Sequence, residues 1–158
     1  MMLAKARDVM TRQFPVLHPQ MTMMEAMKLF KAAGSKEGSK ISGMVVLDDE
    51  GQLVGILSMY DILPQLRPAK NPQWESMDDQ EVDAFLDAIS DRIKTTQIQS
   101  IMSRDVITIT PDTHVAKILD IMIRRHIRRL PVVEGREVVG MVTLTTVFDH
   151  LGDRLLTH

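Results

Sequence analysis

The fold is decided by a stretch near the start of the chain that returns in similar form in its second half. It reads Val9-Met10-Thr11-Arg12-Gln13-Phe14-Pro15-Val16 in the first place and Ile101-Met102-Ser103-Arg104-Asp105-Val106-Ile107-Thr108 in the second. Each copy has a β-branched residue and a methionine, then a hydroxyl residue and an arginine, and apolar residues soon after. Such internal similarity predicts two related structural units within one chain.

After this stretch, each copy continues with an apolar pattern of helical period. The pattern consists of Met23, Ala26, Met27, Leu29 and Phe30 in the first copy, and of Val115, Ile118, Leu119, Ile121 and Met122 in the second. The first copy then has extra residues from Gly34 to Lys40, where glycine, serine and lysine predict a mobile surface loop.

A β-hairpin is predicted next in each copy. Apolar runs at 44–47 and 53–57 flank Asp48-Asp49-Glu50-Gly51, and runs at 130–133 and 138–142 flank Glu134-Gly135-Arg136. Because the runs are apolar without alternation, the strands are expected to be buried on both faces.

A short helix is predicted to close each copy, over residues 59–63 and 145–151. Ser58 and Thr143 stand where each strand ends and each helix begins, and a hydroxyl side chain there can cap the helix.

The segment between the copies contains Pro64, Pro68 and Pro72. Asn71-Pro72 resembles an N-cap with proline in the first helical turn, which predicts a helix. Apolar residues follow at helical spacing: Trp74, Met77, Val82, Phe85, Leu86, Ile89 and Ile93. The other face is acidic, with seven Asp or Glu and no basic residue between 75 and 91. The helix either packs on its own domain or offers a surface to a partner or a second copy.

Composition excludes several classes of protein. The chain has 158 residues, 44% hydrophobic and 25% charged, which is typical of a globular protein. It has no cysteine, which excludes disulfide scaffolds, thiolate metal sites and a cysteine nucleophile. A net charge of −2 and 4% aromatic residues argue against nucleic-acid binding. We expect no membrane span, no signal peptide and a cytoplasmic location.

Catalytic and metal-binding motifs were not found in the sequence. It lacks a Gly-x-Ser-x-Gly elbow, a His-Glu-x-x-His pair and a dinucleotide glycine fingerprint. The histidines, at 18, 114, 126, 150 and 158, do not have zinc-site spacing. We therefore expect neither catalytic residues nor a metal site, and predict that the protein is not an enzyme.

In order, these features resemble the cystathionine-β-synthase (CBS) domain, twice over. The resemblance rests on the opening element, the apolar strand with Pro131, and the endings Gly55-Ile56-Leu57-Ser58-Met59-Tyr60-Asp61 and Gly140-Met141-Val142-Thr143-Leu144-Thr145-Thr146. It implies an α+β (α/β) fold of two β-α-β-β-α units, paired by pseudo-twofold symmetry into a Bateman module. The domains would be residues 3–66 and 97–154, with a linker over 67–96.

The resemblance also implies clefts between the units that bind adenosine compounds. Asp61 would bind ribose and Ser58 would lie near phosphate, which agrees with the chemistry of a carboxylate and of a helix N-terminus. A glycine such as Gly55 at the strand end would let a ligand approach the backbone. Alternatively, Ser58 only caps the helix and Asp61 only solvates its first turn. Thr146 replaces the expected second aspartate, so one competent site is expected, with Thr143 the counterpart of Ser58.

The resemblance further implies phosphate contacts from Arg128 and Arg129, the two residues before Leu130-Pro131. Arginine suits this role because its planar guanidinium donates two hydrogen bonds at once. Strand alternation should point these two side chains to opposite faces. Base contacts would come from backbone and apolar groups, which could equally be plain core: Phe14, Pro15, Val16, Met44, Val45, Asp105, Val106, Ile107, Leu130 and Pro131.

Two functions follow from the sequence. The first is a regulatory, energy-sensing module that binds AMP, ADP, ATP or S-adenosylmethionine, forms a homodimer and signals to an unknown effector protein. The second is an interaction or scaffold module that needs no ligand and acts through dimerisation or the linker helix. In neither case is the ligand a catalytic cofactor.

Overall fold

The structure is a computed structural model that describes residues 4–37, 43–67 and 73–157. In chain order its elements are α1 (Ala6–Val9), β1 (Val16–Leu17), α2 (Met23–Glu37), β2 (Gly43–Leu47), β3 (Leu53–Ser58), α3 (Met59–Ile62), α4 (Asp79–Ala88), α5 (Ser90–Thr95), α6 (Val115–Arg125), β4 (Arg129–Glu134), β5 (Glu137–Thr143) and α7 (Leu144–Leu156). Short 3-10 turns cover Leu63–Leu66, Gln73–Ser76 and Ile98–Ser100. The α+β fold, both hairpins and the two closing helices are thus confirmed.

The chain forms two compact units, and neither is a continuous stretch. Unit 1 comprises residues 1–14, 49–53 and 105–158, and unit 2 comprises residues 15–48 and 54–104. The beginning of the chain therefore packs with the second repeat, and the residues that open the second repeat pack with the first.

Unit 2 contains a three-stranded sheet in the order β1-β2-β3, with β1 parallel to β2. Strand β2 is buried over four successive residues, as a run without alternation predicts. Helix α2 buries one apolar face, and helix α5 packs against α2. The core consists of Leu17, Met23, Ala26, Phe30, Met44, Val46, Leu57, Ile62, Ile98 and Met102.

Unit 1 contains the antiparallel pair β4-β5. Ile109 joins β4 at Val132 in parallel, much as β1 joins β2 in unit 2. Helices α6 and α7 pack on one another. The core consists of Ala4, Ala6, Val9, Ile109, Val115, Ile118, Met122, Leu130, Val132, Val142 and Val147.

In unit 1, residues 4–11 form a strap, named strap 1, across the start of α6 and the end of β5. The Val115 N–H donates to the Ala4 carbonyl at 3.0 Å, and the Thr11 N–H donates to the Met141 carbonyl at 2.8 Å. Small buried residues of the strap join the core of unit 1.

In unit 2, residues 96–103 form strap 2 in the same way. The Met23 N–H donates to the Thr96 carbonyl at 2.8 Å, and the Ser103 N–H donates to the Ile56 carbonyl at 2.9 Å. The opening motif of each repeat therefore completes the hydrogen bonding of the other repeat.

The segment between the repeats differs from the prediction of a single continuous helix. Helix α4 begins at the N-cap Asp78, whose side chain accepts from the Glu81 N–H at 2.8 Å, and the chain turns at Ile89 before α5. No residue of α4 is buried, whereas Ile93 of α5 packs against the core of unit 2. The predicted cap at Asn71-Pro72 lies outside the described residues.

The predicted loop from Gly34 to Lys40 is wrong in its first half. Helix α2 continues to Glu37, and the remaining residues of the predicted loop lie outside the described part of the chain. Once a helix has formed, each further residue adds a hydrogen bond without a new nucleation cost, which offsets the poor helix propensity of glycine and serine.

Within the described residues, no helix is long and apolar enough to cross a membrane.

Candidate ligand-binding sites

In unit 2, Asp61, predicted to bind ribose, and Ser58, predicted to lie near phosphate, lie together at the junction of β3 and α3. Ser58 ends the strand and is the N-cap of α3. Its N–H and its hydroxyl both donate to Asp61 Oδ2, at 2.8 and 3.1 Å. The carboxylate thus folds back on its own N-cap, as in a capping box. Asp61 therefore has a structural role at the N-terminus of α3.

Asp61 nevertheless keeps one oxygen available. Among the described residues no hydrogen bond reaches its Oδ1, and the side chain is only half-buried. A carboxylate has about four acceptor positions. The group can therefore accept hydrogen bonds from a hydroxyl-bearing ligand while it still caps α3.

The helix behind Ser58 is short. Helix α3 has four residues, whereas α7 behind Thr143 has 13. Because the helix dipole sums over aligned peptide units, α3 adds little to the binding of an anion at its N-terminus.

In unit 1, Thr143 and Thr146 repeat this arrangement without a carboxylate. Thr143 is the N-cap of α7, and its Oγ1 accepts from the Thr146 N–H at 3.2 Å. The two hydroxyl oxygens are 2.8 Å apart. The prediction that Thr143 caps its helix is confirmed.

Arg128 and Arg129 lie beside this N-terminus in the same unit. The Leu144 N–H donates to the Arg128 carbonyl at 2.8 Å, and Arg129 pairs with Thr143 across β4 and β5. Arg128 is exposed and Arg129 half-buried. The predicted phosphate donors Arg128 and Arg129 therefore lie next to Thr143 in unit 1.

The predicted base-contact residues divide between surface and core. Met44 is 1% exposed and belongs to the core of unit 2; Val45, Leu130 and Pro131 are buried as well. The others are half-buried or exposed: Phe14, Pro15, Val16, Asp105, Val106 and Ile107. The buried residues of this set could contact a ligand only through their backbone atoms.

Gly55 and Gly140, expected at strand ends, lie inside β3 and β5, and they have a role that the sequence did not reveal. A Cβ on Gly55 would lie 2.6 Å from Met102 Sδ, and a Cβ on Gly140 would lie 2.5 Å from Met10 Sδ. The space beside each glycine is filled by the methionine of a strap, not left open for a ligand. The recurrence of Met10 and Met102 in the repeated stretch was the available signal.

No group of three or more His, Cys, Asp or Glu side chains that could hold a metal ion occurs among the described residues.

Comparison with known proteins identifies the repeats. The CBS domain family matches residues 6–67 and 98–153. Protein MJ1426 of Methanocaldococcus jannaschii is 26% identical, over 87% of this chain and 84% of its own length.

Two crystal structures are similar in fold. The CBS domain pair of protein MJ0100, in complex with 5-methylthioadenosine and S-adenosyl-L-methionine, has a TM-score of 0.67 and 24% identity, and the match covers 97% of this chain and 99% of that one. CBSX2 in complex with AMP has a TM-score of 0.71 and 21% identity, with 96% and 98% covered. Since the family match includes both repeats and most of the sequence, the chain belongs to the CBS domain family and carries a pair of these domains.

Proposed function

We propose that the protein is a regulatory module that binds an adenosine-containing ligand of the AMP, ADP or ATP class, acts in the cytoplasm and signals to an effector protein. The observation that carries this proposal is Asp61, which stands at the family's ribose-binding position and has an unoccupied carboxylate oxygen. The complexes of the MJ0100 pair and of CBSX2 with adenosine compounds support the ligand class.

We further propose that one site per chain is competent. The first repeat has the charged acceptor Asp61, whereas the second has Thr146, whose hydroxyl already pairs with Thr143. An uncharged hydroxyl that is already engaged is a poorer acceptor for two ribose hydroxyls than a carboxylate, which has two oxygens and about four acceptor positions. Arg128 and Arg129 are proposed to contact phosphate, because arginine recognises phosphate through paired hydrogen bonds.

Thermal unfolding with AMP, ADP, ATP, S-adenosylmethionine and NADH tests the ligand class. A ligand at a hundred times its Kd stabilises by about 2.7 kcal/mol, which raises the melting temperature of a chain of this size by roughly 5–11 °C. The comparison variant is Asp61→Asn, whose amide oxygen can still accept from the Ser58 N–H. Its own melting temperature should change little, while the ligand-induced rise should disappear.

A homodimer is proposed on the basis of exposed apolar side chains that recur in both repeats. Leu63 and Phe148 each stand five residues after the N-cap of their repeat, Leu63 in the 3-10 turn that follows α3 and Phe148 in α7, and they are 54% and 75% exposed. In unit 2, Leu63 also borders a groove of about 150 Å³ whose lining is apolar apart from Lys31. Analytical ultracentrifugation should detect a dimer, which Leu63→Ser together with Phe148→Ser should dissociate.

A second candidate function is an interaction module that needs no ligand. Helix α4 favours this second function. None of its residues is buried, Leu86 is 45% exposed, and the rest of its surface is acidic. If no adenosine compound raises the melting temperature while a dimer persists, this function is the better account.

A further inference from the structure

The two repeats cap their first long helices with different chemistry. Thr22 and His114 occupy equivalent positions, immediately before α2 and α6. Thr22 Oγ1 accepts from the Glu25 N–H at 3.2 Å. At the other cap, His114 Nδ1 accepts from the Ala116 N–H at 2.9 Å. The first cap does not involve imidazole, and the second depends on it.

The geometry fixes which nitrogen of His114 carries the proton. A backbone N–H can only donate, so Nδ1 must present a lone pair, and the proton of the neutral ring lies on Nε2. His18 in unit 2 has the opposite arrangement, since its Nδ1 faces the Leu47 carbonyl at 3.2 Å and must donate. Protonation of the ring preserves the His18 contact and abolishes the His114 cap.

Strap 1 is attached at this same cap. Lys5 pairs with His114 as an antiparallel bridge, the Val115 N–H donates to the Ala4 carbonyl at 3.0 Å, and the Ala6 N–H donates to the Thr113 carbonyl at 2.8 Å. Movement of the backbone at His114 therefore disturbs the hydrogen bonds that hold strap 1. Strap 2 is attached in the same way beside Thr22, where the bridge joins Thr22 to Gln97.

We propose that His114 makes strap 1 acid-labile: protonation of the ring removes the N-cap of α6 and loosens residues 4–11 from unit 1, while strap 2 stays in place. A ring that carries a proton on Nδ1 has no lone pair there, so it cannot accept from the Ala116 N–H. Acidification therefore removes the cap and, with it, the attachment of strap 1 beside His114. The proposal is independent of ligand binding.

The elements packed around His114 carry charged groups of both signs. Strap 1 contributes Lys5, Arg7 and Asp8, the loop before the helix contributes Asp112, and α6 contributes Lys117 and the ion pair of Asp120 with Arg124. Asp112 is already paired with Lys5 and Arg7. Helix α7, which also packs on α6, contributes Asp149, His150, Asp153 and Arg154. The N-terminus of α6 carries a partial positive charge from the aligned peptide dipoles, which repels a cationic side chain at the cap.

The test compares thermal unfolding of the full chain at pH 8 and pH 5.5. His114→Thr replaces the imidazole cap by threonine, the residue that caps α2 in the first repeat at Thr22. His18→Thr is the matched control, because the second repeat has threonine at the equivalent position, Thr110. Because only the wild type loses an N-cap in acid, acidification should lower its melting temperature by roughly 2–4 °C more than that of His114→Thr. His18→Thr should behave like the wild type. Equal pH dependence in His114→Thr and the wild type would overturn the proposal.

A second measurement uses the wild-type protein alone, in case His114→Thr does not fold. Ring ¹⁵N spectra at pH 8 should show His114 with its proton on Nε2. Amide hydrogen exchange at Val115, relative to Met23 as the equivalent amide under strap 2, should rise roughly fivefold on acidification to pH 5.5. A proton on Nδ1 at pH 8, or an unchanged exchange ratio, would contradict the proposal.

Discussion

Substitution of Gly55 by alanine should displace strap 2 from β3. The new Cβ would lie 2.6 Å from Met102 Sδ, 3.0 Å from Met102 Cγ and 2.9 Å from the Ser103 carbonyl oxygen. Carbon atoms in contact normally lie about 3.5–4.0 Å apart. The methionine side chain can rotate away, but Ser103 cannot yield alone, because its N–H and carbonyl both bond to Ile56 at 2.9 Å.

The expected loss in the free energy of unfolding is the sum of the interactions that displacement of strap 2 breaks. Two backbone hydrogen bonds are each worth about 0.5–1.5 kcal/mol, and Met102, which is 8% exposed, loses part of a burial worth about 1.5–3 kcal/mol. Partial relaxation of the strap recovers some of this sum. We expect Gly55→Ala to lower the free energy of unfolding by roughly 2–3 kcal/mol, within the range measured for overpacked cores.

Urea unfolding of five variants measures this prediction: the single variants Gly55→Ala, Gly140→Ala and Gly152→Ala, and two double variants that combine a glycine substitution with loss of the facing methionine. Adding Met102→Ala to Gly55→Ala should restore only part of the lost free energy of unfolding, because the new Cβ still lies too close to the Ser103 carbonyl oxygen. At Gly140 every close atom belongs to the side chain of Met10, so Met10→Ala should rescue Gly140→Ala more fully. Gly152 has nothing within 4 Å of a Cβ and lies in α7, so Gly152→Ala should stabilise by up to about 1 kcal/mol. A change below 0.5 kcal/mol (about the scatter of neutral surface substitutions) in Gly55→Ala would refute the reasoning.

Three further predictions concern separate features. Thr143→Ala removes the N-cap of α7 and should cost about 1 kcal/mol in calorimetric unfolding, whereas Thr143→Ser should cost much less. Asp112→Asn removes the exposed ion pairs with Lys5 and Arg7, and should change the free energy of urea unfolding by less than about 1 kcal/mol, with the difference shrinking in high salt. Thr146→Asp restores the family's acidic residue in the second repeat, and equilibrium dialysis should then show a second bound nucleotide per chain.

Local elements were predictable because short-range patterns determine them. The apolar runs that flank Gly51 and Gly135 predicted both hairpins, and the structure gives these turn glycines positive φ angles of 79° and 63°. The cap of α7 by Thr143 followed from a hydroxyl between a strand and a helix, and Ser58 stands at the same position before α3. Each of these features depends on residues that are close in sequence.

The straps were not predictable by the same means. Periodicity indicates which face of a segment is buried, but not which part of the chain buries it. The docking of Met10 on Gly140 and of Met102 on Gly55 joins residues distant in sequence. For the same reason, a strand-end glycine was interpreted as room for a ligand, although a methionine fills that space. The capping role of Asp61 could not be predicted from the sequence either, because a carboxylate at this position suits both ribose binding and a capping box.

The central claim is that the first repeat, through Asp61, binds an adenosine-containing ligand. Isothermal titration calorimetry with AMP, ADP, ATP and S-adenosylmethionine tests it most directly, with the wild type beside Asp61→Asn. We expect at least one of these compounds to bind the wild type with one molecule per chain, and Asp61→Asn to bind it at least tenfold more weakly. Absence of binding by all four compounds, or equal affinity in Asp61→Asn, would contradict the account.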